Sequence, residues 1–246
     1  MIHEQLPRTR HLPPISTTPL RLLRPIIRAG FQRRWNVRLT GVEHVPPGAH
    51  VVASNHLGLM DGPLLAAYHP APLHALTKQE MFNGIPGAVL RATGQISLDR
   101  WSADPGAIKA SLRVLRDGGV VGVYPEGGRG NGEFDQIRAG AAYLALVTGA
   151  PVLPLAIFGT RTPGGHTNSR PPRGAAIDFV YGAPITIDPV PFPRTQEQIR
   201  HATAFLHEAL RAHLDAARAL TGRELPGPLP TESPSPTDSI KEHIDD

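Results

Sequence analysis

His56 and Asp61, in the run Asn55-His56-Leu57-Gly58-Leu59-Met60-Asp61, form the first pair in this chain whose types suit catalysis. An imidazole changes charge near neutral pH, and a neighbouring carboxylate fixes its tautomer and stabilises the imidazolium it becomes. Five residues of regular helix would set the two about 140° apart, on different faces. Contact therefore requires that Leu57 to Met60 turn, and Gly58 makes a tight turn inexpensive. The apolar run 49–53 just before them reads as a buried strand, which puts the imidazole at a strand's carboxyl end. The plainer reading of the same residues is a loop histidine followed by an aspartate at a helix N-cap.

Three more clusters fall where apolar runs stop. Gly94-Gln95-Ile96-Ser97-Leu98-Asp99-Arg100 delivers an acid and a base to the end of a short strand. Tyr124-Pro125-Glu126-Gly127-Gly128-Arg129-Gly130 runs from a strand into a glycine-rich turn carrying a carboxylate and a guanidinium. Glycines in such a turn let backbone N–H groups converge on an anion, and arginine is the side chain best shaped to grip phosphate with two hydrogen bonds. The third cluster is Ala150-Pro151-Val152-Leu153-Pro154-Leu155, with Gly159 closing the strand. Singly, each has a dull explanation: a surface ion pair at Asp99 and Arg100, a flexible loop at 127–132. Jointly, they bring one histidine, several carboxylates and two arginines to one rim of one sheet.

The elements that must hold these residues follow from the pattern. Strands are expected at 49–53, 73–77, 95–98, 120–124, 152–158 and 175–181. Helices are expected at 62–68, 81–92, 105–117, 135–148 and from Thr195 to Gly222. Asp104-Pro105 supplies an N-cap and first-turn proline, and Thr195 with Gln198 a capping box. Alternation of this kind specifies an α/β fold with a mostly parallel central sheet flanked by helices, where ligands gather at the strands' carboxyl ends. The chain's 246 residues, 40% hydrophobic, suffice for one such domain, placed at 39–222.

The ends differ in character. Residues 1–16 are rich in Pro and Arg and are expected to be flexible, as is the Pro/Ser/Asp-rich tail 223–246. Residues 5–42 hold eight arginines and no Asp or Glu. Within 17–38, Leu20, Leu23, Ile27, Phe31 and Trp35 recur at helical steps with arginines between them, giving a basic amphipathic N-terminal helix suited to an anionic membrane surface. The competing reading packs its apolar face on the domain. No stretch approaches the ~20 apolar residues of a membrane span, and residues 1–30 lack a signal peptide's apolar core. A peripheral protein on the cytoplasmic face is expected. The absence of cysteine excludes a thiolate metal site and a cysteine acyl-enzyme. No histidine set has zinc-ligand spacing, no Walker A loop or dinucleotide fingerprint is present, and no nucleic-acid motif surrounds the arginines.

With its four clusters in order over residues 40–190, the sequence resembles the glycerolipid acyltransferases, the family of 1-acylglycerol-3-phosphate acyltransferases. That family's Asn-His-x4-Asp is matched by Asn55, His56 and Asp61, and its Asp-Arg after a glycine and an apolar strand by Gly94 to Arg100. Its Phe-Pro-Glu-Gly-Thr-Arg-Ser is matched by Tyr124 to Gly130, and its Val-Pro-x-x-Pro strand by Ala150 to Pro154. Gly128 and Gly130 stand where the family carries hydroxyl residues, removing two donors to a headgroup. The resemblance implies His56 as general base oriented by Asp61, with Asn55, Lys78, Arg100, Glu126, Gly127 and Arg129 binding substrate. It implies an acyl thioester of coenzyme A or acyl carrier protein as co-substrate, no bound cofactor or metal, and a lysophospholipid acceptor. A lipid or thioester hydrolase, an acyltransferase for another lysolipid or glycolipid, and a non-catalytic lipid-binding module are the alternatives.

Overall fold

The computed structural model describes Thr9, Leu12, residues 14–102 and residues 104–230. Residues 231–246 of the expected tail, and most of 1–16, lie outside the described residues.

A seven-stranded sheet organises the chain. Its strands are β1 (Asn36–Thr40), β2 (His50–Ser54), β3 (Leu73–Lys78), β4 (Ile96–Leu98), β5 (Val120–Val123), β6 (Val152–Phe158) and β7 (Ala176–Tyr181). They lie in the order β1-β7-β6-β2-β5-β3-β4. Five of them, β6 to β4 in that order, run parallel, so their carboxyl ends share one rim. β7 pairs antiparallel with β6, and β1 parallel with β7, so these two run the other way. β2 sits at the centre and is buried at every residue, His50 to Ser54, as a strand covered on both faces must be.

Helices cover both faces: α1 (Thr18–Gln32), α2 (Asp61–Tyr68), α3 (Gly84–Ala92), α4 (Pro105–Arg116), α5 (Gly140–Thr148) and α6 (Gln196–Thr221). On one side Leu112, Leu144, Leu206, Leu210 and Leu214 of α4, α5 and α6 meet Val51, Val121 and Ala156. On the other, Leu64, Leu65 and Tyr68 of α2 pack with Val52, Leu153 and Phe179. Burying a leucine of this kind contributes roughly 1.5–3 kcal/mol. Asp104 caps α4 through the Ala107 N–H, and Thr195 and Gln198 form the capping box that opens α6.

Four expectations are corrected. The basic helix does not run through residue 38: it ends at Gln32, and residues 36–40 form β1, with side chains alternating between exposed and half-buried. Trp35 is 3% exposed and its indole N–H donates to the Pro171 carbonyl, while Arg38 binds Asp178 at 2.5 and 2.8 Å. Neither belongs to an outer helix face. The helix expected at 81–92 splits at Asn83, after which α3 begins. The one expected at 135–148 starts only at Gly140. Residues 223–230 are tied down: Arg223 donates to Asp178 and to the Ala176 carbonyl, and the Gly227 carbonyl accepts from Arg161.

Candidate active site

The carboxyl rim of the five parallel strands collects most of the chemistry-bearing residues. β2 ends at Ser54, and the chain turns through residues 57–60 before α2 begins at Asp61. The turn is closed by Asp61 itself. Its Oδ2 accepts from the Leu57 N–H at 2.6 Å, the Gly58 N–H at 2.9 Å and His56 Nδ1 at 2.7 Å. Gly58 contributes its N–H, without a positive φ. Asp61 is fully buried at the first turn of α2, where the helix dipole favours an anion. A buried carboxylate with three N–H donors fixes the proton of the imidazole on Nδ1 and leaves the Nε2 lone pair free. The ring keeps 16% exposure, and Nε2 has no protein partner among the described residues.

The backbone of His56 is held on both sides by the glycine-rich turn that follows β5. Its N–H donates to Glu126 Oε1 at 2.8 Å, and its carbonyl accepts from the Gly130 N–H at 2.9 Å. Tyr124, the residue before that turn, stacks on the imidazole with ring centroids 4.0 Å apart and planes 16° apart. Burial pushes the Glu126 carboxyl up to about 7, with Asp61, Asp135 and Glu133 adding to the shift and the His56 N–H opposing it. Gly127 is left-handed (φ 73°), and a Cβ there would lie 2.3 Å from Arg138 Nε, so only glycine fits. Two of the turn's N–H groups, those of Gly127 and Gly130, are spent on the Tyr124 and His56 carbonyls rather than converging on an anion site.

Guanidinium groups line the opening. Arg129 reaches Asn168 Oδ1 at 3.1 Å. Burial lowers its proton affinity, Asp61 and Tyr124 raise it, and the neighbouring Arg100 lowers it. Arg100 donates to the Gly127 carbonyl at 3.2 Å, and Arg138 donates to the Arg100 carbonyl at 3.1 Å, so the ends of β4 and β5 are laced together. Lys78 ends β3 beside Leu98. Glu80 is held below the usual carboxylate range by its own backbone N–H, then by Trp101, Arg100 and Lys78. Arg100 and Arg129 are both half-buried and close enough for the charge of Arg100 to act on Arg129, and a guanidinium is shaped to grip phosphate with two hydrogen bonds.

Of the sequence-predicted residues, the structure gathers His56, Asp61, Glu126, Gly127, Arg129 and Arg100, with Lys78 at the edge. Asn55 it places elsewhere. Its side chain is fully buried, with Nδ2 donating to the Ile157 carbonyl at 3.0 Å and Oδ1 accepting the Ile157 N–H at 2.7 Å. The amide clamps β2 to β6 and turns away from the cleft, correcting its assignment to substrate contact. Sequence reasoning missed Tyr124 as a stacking partner, Arg138, Asn168 and Arg161. Arg161 is 2% exposed and binds the carbonyls of Gly130, Gly165 and Gly227. Its signal was its place just past Gly159, at the same rim as the other arginines. Two of the three histidines of α6 serve packing, His207 against the Phe134 carbonyl and His213 against that of Val180.

A family model described as Acyltransferase matches residues 36–158, half of the chain, and the matched stretch includes His56, Asp61, Arg100, Glu126 and Arg129. A 1-acyl-sn-glycerol-3-phosphate acyltransferase of Bacillus subtilis is 30% identical over 129 residues, covering 51% of this chain and 64% of its own. One from Borreliella burgdorferi is 34% identical over 130 residues, covering 50% of this chain and 51% of its own. The chain thus spans about half to under two-thirds of the length of these relatives. In fold, the chain is similar to the crystal structure of the 1-acyl-sn-glycerophosphate (LPA) acyltransferase from Thermotoga maritima. The TM-score is 0.61, with 21% identity and coverage of 81% and 80% of the two chains.

Proposed function

The chain belongs to the acyltransferase family, and from that premise we propose that it moves a fatty acyl group from a coenzyme A or acyl-carrier-protein thioester to the hydroxyl of a lysophospholipid such as 1-acylglycerol-3-phosphate. One observation carries the reading: the His56 imidazole, locked to buried Asp61 at 2.7 Å, stands beside the Arg100–Arg129 cradle at the end of the central strand. The names of the relatives support a phosphorylated acceptor.

The geometry suits direct transfer. Nε2 of His56 takes the proton of the acceptor hydroxyl as its oxygen attacks the thioester carbonyl. The tetrahedral intermediate collapses, expelling thiolate, which takes the proton back from the imidazolium. An ester and a free thiol result, with nothing left over. Base catalysis of this kind supplies roughly 10²–10⁴-fold. Thiolate is a good leaving group and needs little acid assistance. With no cysteine in the chain and no Gly-x-Ser-x-Gly elbow, no acyl-enzyme is invoked. Arg129 and Arg100, with Lys78, hold the acceptor's phosphate, while Glu126 and Gly127 shape the pocket beside it.

Both substrates are amphiphiles, and this reading puts the protein peripherally on the cytoplasmic face of an anionic membrane, with α1 in contact. Among the described residues no helix is long and apolar enough to cross a membrane. The test is a panel of lysolipids offered with both thioester donors, read by the mass of the product, in wild type and His56→Ala. Acylated lipid from wild type and none from a folded His56→Ala is the expected result. Near-normal turnover in the variant refutes the role of His56. Free fatty acid in place of acylated lipid makes the protein a hydrolase, and vesicle binding without turnover makes it a lipid-binding module.

A further inference from the structure

α3 wears its apolar side outward. Ile85, Ala88, Val89 and Ala92 fall within about 100° of one another around the helix, the spacing of a face made to be buried. In a helix packed on a core such a stripe points inward. Here all four residues are exposed, Ile85 at 83% and Val89 at 50%, and no residue of α3 joins either hydrophobic core. The cause is Gly87, the buried residue of this helix, which lies about 150° from the middle of the stripe. A Cβ at that position would collide with the Phe82 carbonyl, so α3 rests glycine-first on the backbone that precedes it. Two further bonds hold that orientation: Arg91 donates to the Phe82 carbonyl at 2.6 Å, and the Gln95 N–H to the Leu90 carbonyl at 2.8 Å. The stripe is thus fixed on the far side, facing solvent.

The helix joins β3 to β4 at the open edge of the sheet. It begins six positions after Lys78, which ends β3 at the carboxyl rim, and Arg100 follows β4 at that same rim. We propose that this stripe enters the interfacial layer of a lipid bilayer and seats the mouth of the cleft against it. Size and charge favour that occupant over a protein. A standard protein interface enlists roughly 20–30 residues a side, whereas the stripe is the four residues named, two of them alanines. Between Gln79 and Ala92 only Glu80 and Arg91 are charged, and Arg91 is turned onto the Phe82 carbonyl, so a charged protein face finds little to pair with. A bilayer demands no matching surface, because a short apolar face can sink about 5–10 Å to the boundary between headgroups and acyl chains. The proposal rests on the peripheral-membrane reading given above. To the contact made by α1, which leads into β1, it adds one at the opposite edge of the sheet.

The chain has no cysteine, so Val89→Cys and, on the exposed side of α6, Ala216→Cys each take a single environment-sensitive fluorophore. The full chain is mixed with vesicles of phosphatidylcholine and phosphatidylglycerol at low and at high salt, and binding is read by sedimentation. The label at residue 89 is expected to shift to the blue and to escape quenching by iodide when vesicles are added, and the label at residue 216 to do neither. Ile85→Ser/Val89→Ser changes two side chains that already meet water, and it is expected to lose at least tenfold in binding at high salt, where attraction to the arginines is screened. Bound vesicles with the label at residue 89 unchanged, or a double variant that binds as wild type does, overturn the stripe and leave the membrane reading standing. No binding by wild type overturns both. A blue shift without vesicles, on raising the protein concentration or adding an acyl carrier protein, gives the stripe to a protein partner and overturns the proposal. No turnover is read, so failure of the proposed acyl transfer leaves these outcomes unaffected.

Discussion

Replacing Asp61 by Asn separates two contributions that Asp61→Ala removes together. In the wild type one oxygen, Oδ2, accepts from His56 Nδ1 and from the N–H groups of Leu57 and Gly58, and Oδ1 has no partner among the described residues. The two backbone donors dictate how the amide of Asp61→Asn must sit: its oxygen takes the Oδ2 position and its NH2 the empty side. The imidazole keeps its proton on Nδ1 and its lone pair on Nε2, but loses the charge opposite the imidazolium. Hydrogen bonds to a charged acceptor contribute roughly 1.5–3 kcal/mol and neutral ones roughly 0.5–1.5. Three weakened bonds come to about 3 kcal/mol, partly offset because a buried charge is gone. The rate should fall on the order of 10²-fold, about 3 kcal/mol of barrier at about 1.4 kcal/mol per decade. Asp61→Ala also strands two buried N–H groups, at about 1–3 kcal/mol each, and frees the ring, for a loss on the order of 10⁴-fold. The assay is kcat/KM for acyl transfer to lysophosphatidate, paired with urea unfolding of each variant. Wild-type turnover by Asp61→Asn would mean that no charge develops on His56. A variant as slow as Asp61→Ala but as stable as wild type would mean that the carbonyl does not set the tautomer.

Arg129→Ala should raise KM for a phosphorylated acceptor tenfold or more, from the loss of a charge-assisted contact of roughly 1.5–3 kcal/mol, with kcat little changed; steady-state kinetics with phosphorylated and unphosphorylated lysolipids checks it. Glu126, whose carboxyl burial holds at about 7, keeps in the folded state a proton that the unfolded chain releases near its ordinary value of 4.5. Stability therefore declines as pH rises from about 4.5 through 7, by on the order of 3 kcal/mol. Glu126→Gln keeps an acceptor for the His56 N–H and should flatten that slope in urea titrations between pH 5 and 8; an unchanged slope assigns it to other groups. Asn55→Ala leaves the Ile157 N–H and carbonyl unpaired and should cost about 2–6 kcal/mol in unfolding free energy. Loss of activity at full stability would return Asn55 to the ligand-binding residues.

The pairing of His56 with Asp61 was legible because a five-residue spacing demands a turn, and the chain supplies one. Arg100 and Arg129 were legible as strand-end residues in an alternating α/β pattern. β1 was not: Trp35 and Arg38 continue the three- and four-residue rhythm of α1, and residues 36–40 become a strand only by pairing with β7, about 140 residues away. Asn55 was misjudged for a related reason. A polar residue beside a catalytic histidine looks like a ligand until β6 arrives to consume its amide. The expected helix start at Asp135 failed because residues 131–138 are needed as a loop, in which buried Phe134 takes a left-handed φ of 53° and Arg138 buttresses Gly127.

The reversed direction of β1 and β7 has a mechanical consequence. Because β1 runs against β6, the junction between α1 and β1 emerges at the catalytic rim, where Arg34, Trp35 and Asn36 are stitched to Gly174, Pro171 and Ala175. Pro171 lies three positions beyond Asn168, the residue that steadies Arg129. Tilting the arginine-striped helix thus bears, within a few bonds, on the segment that holds Asn168 against Arg129. On the function proposed above, a load on α1 at a membrane and a headgroup on Arg129 would act on the two ends of one short segment.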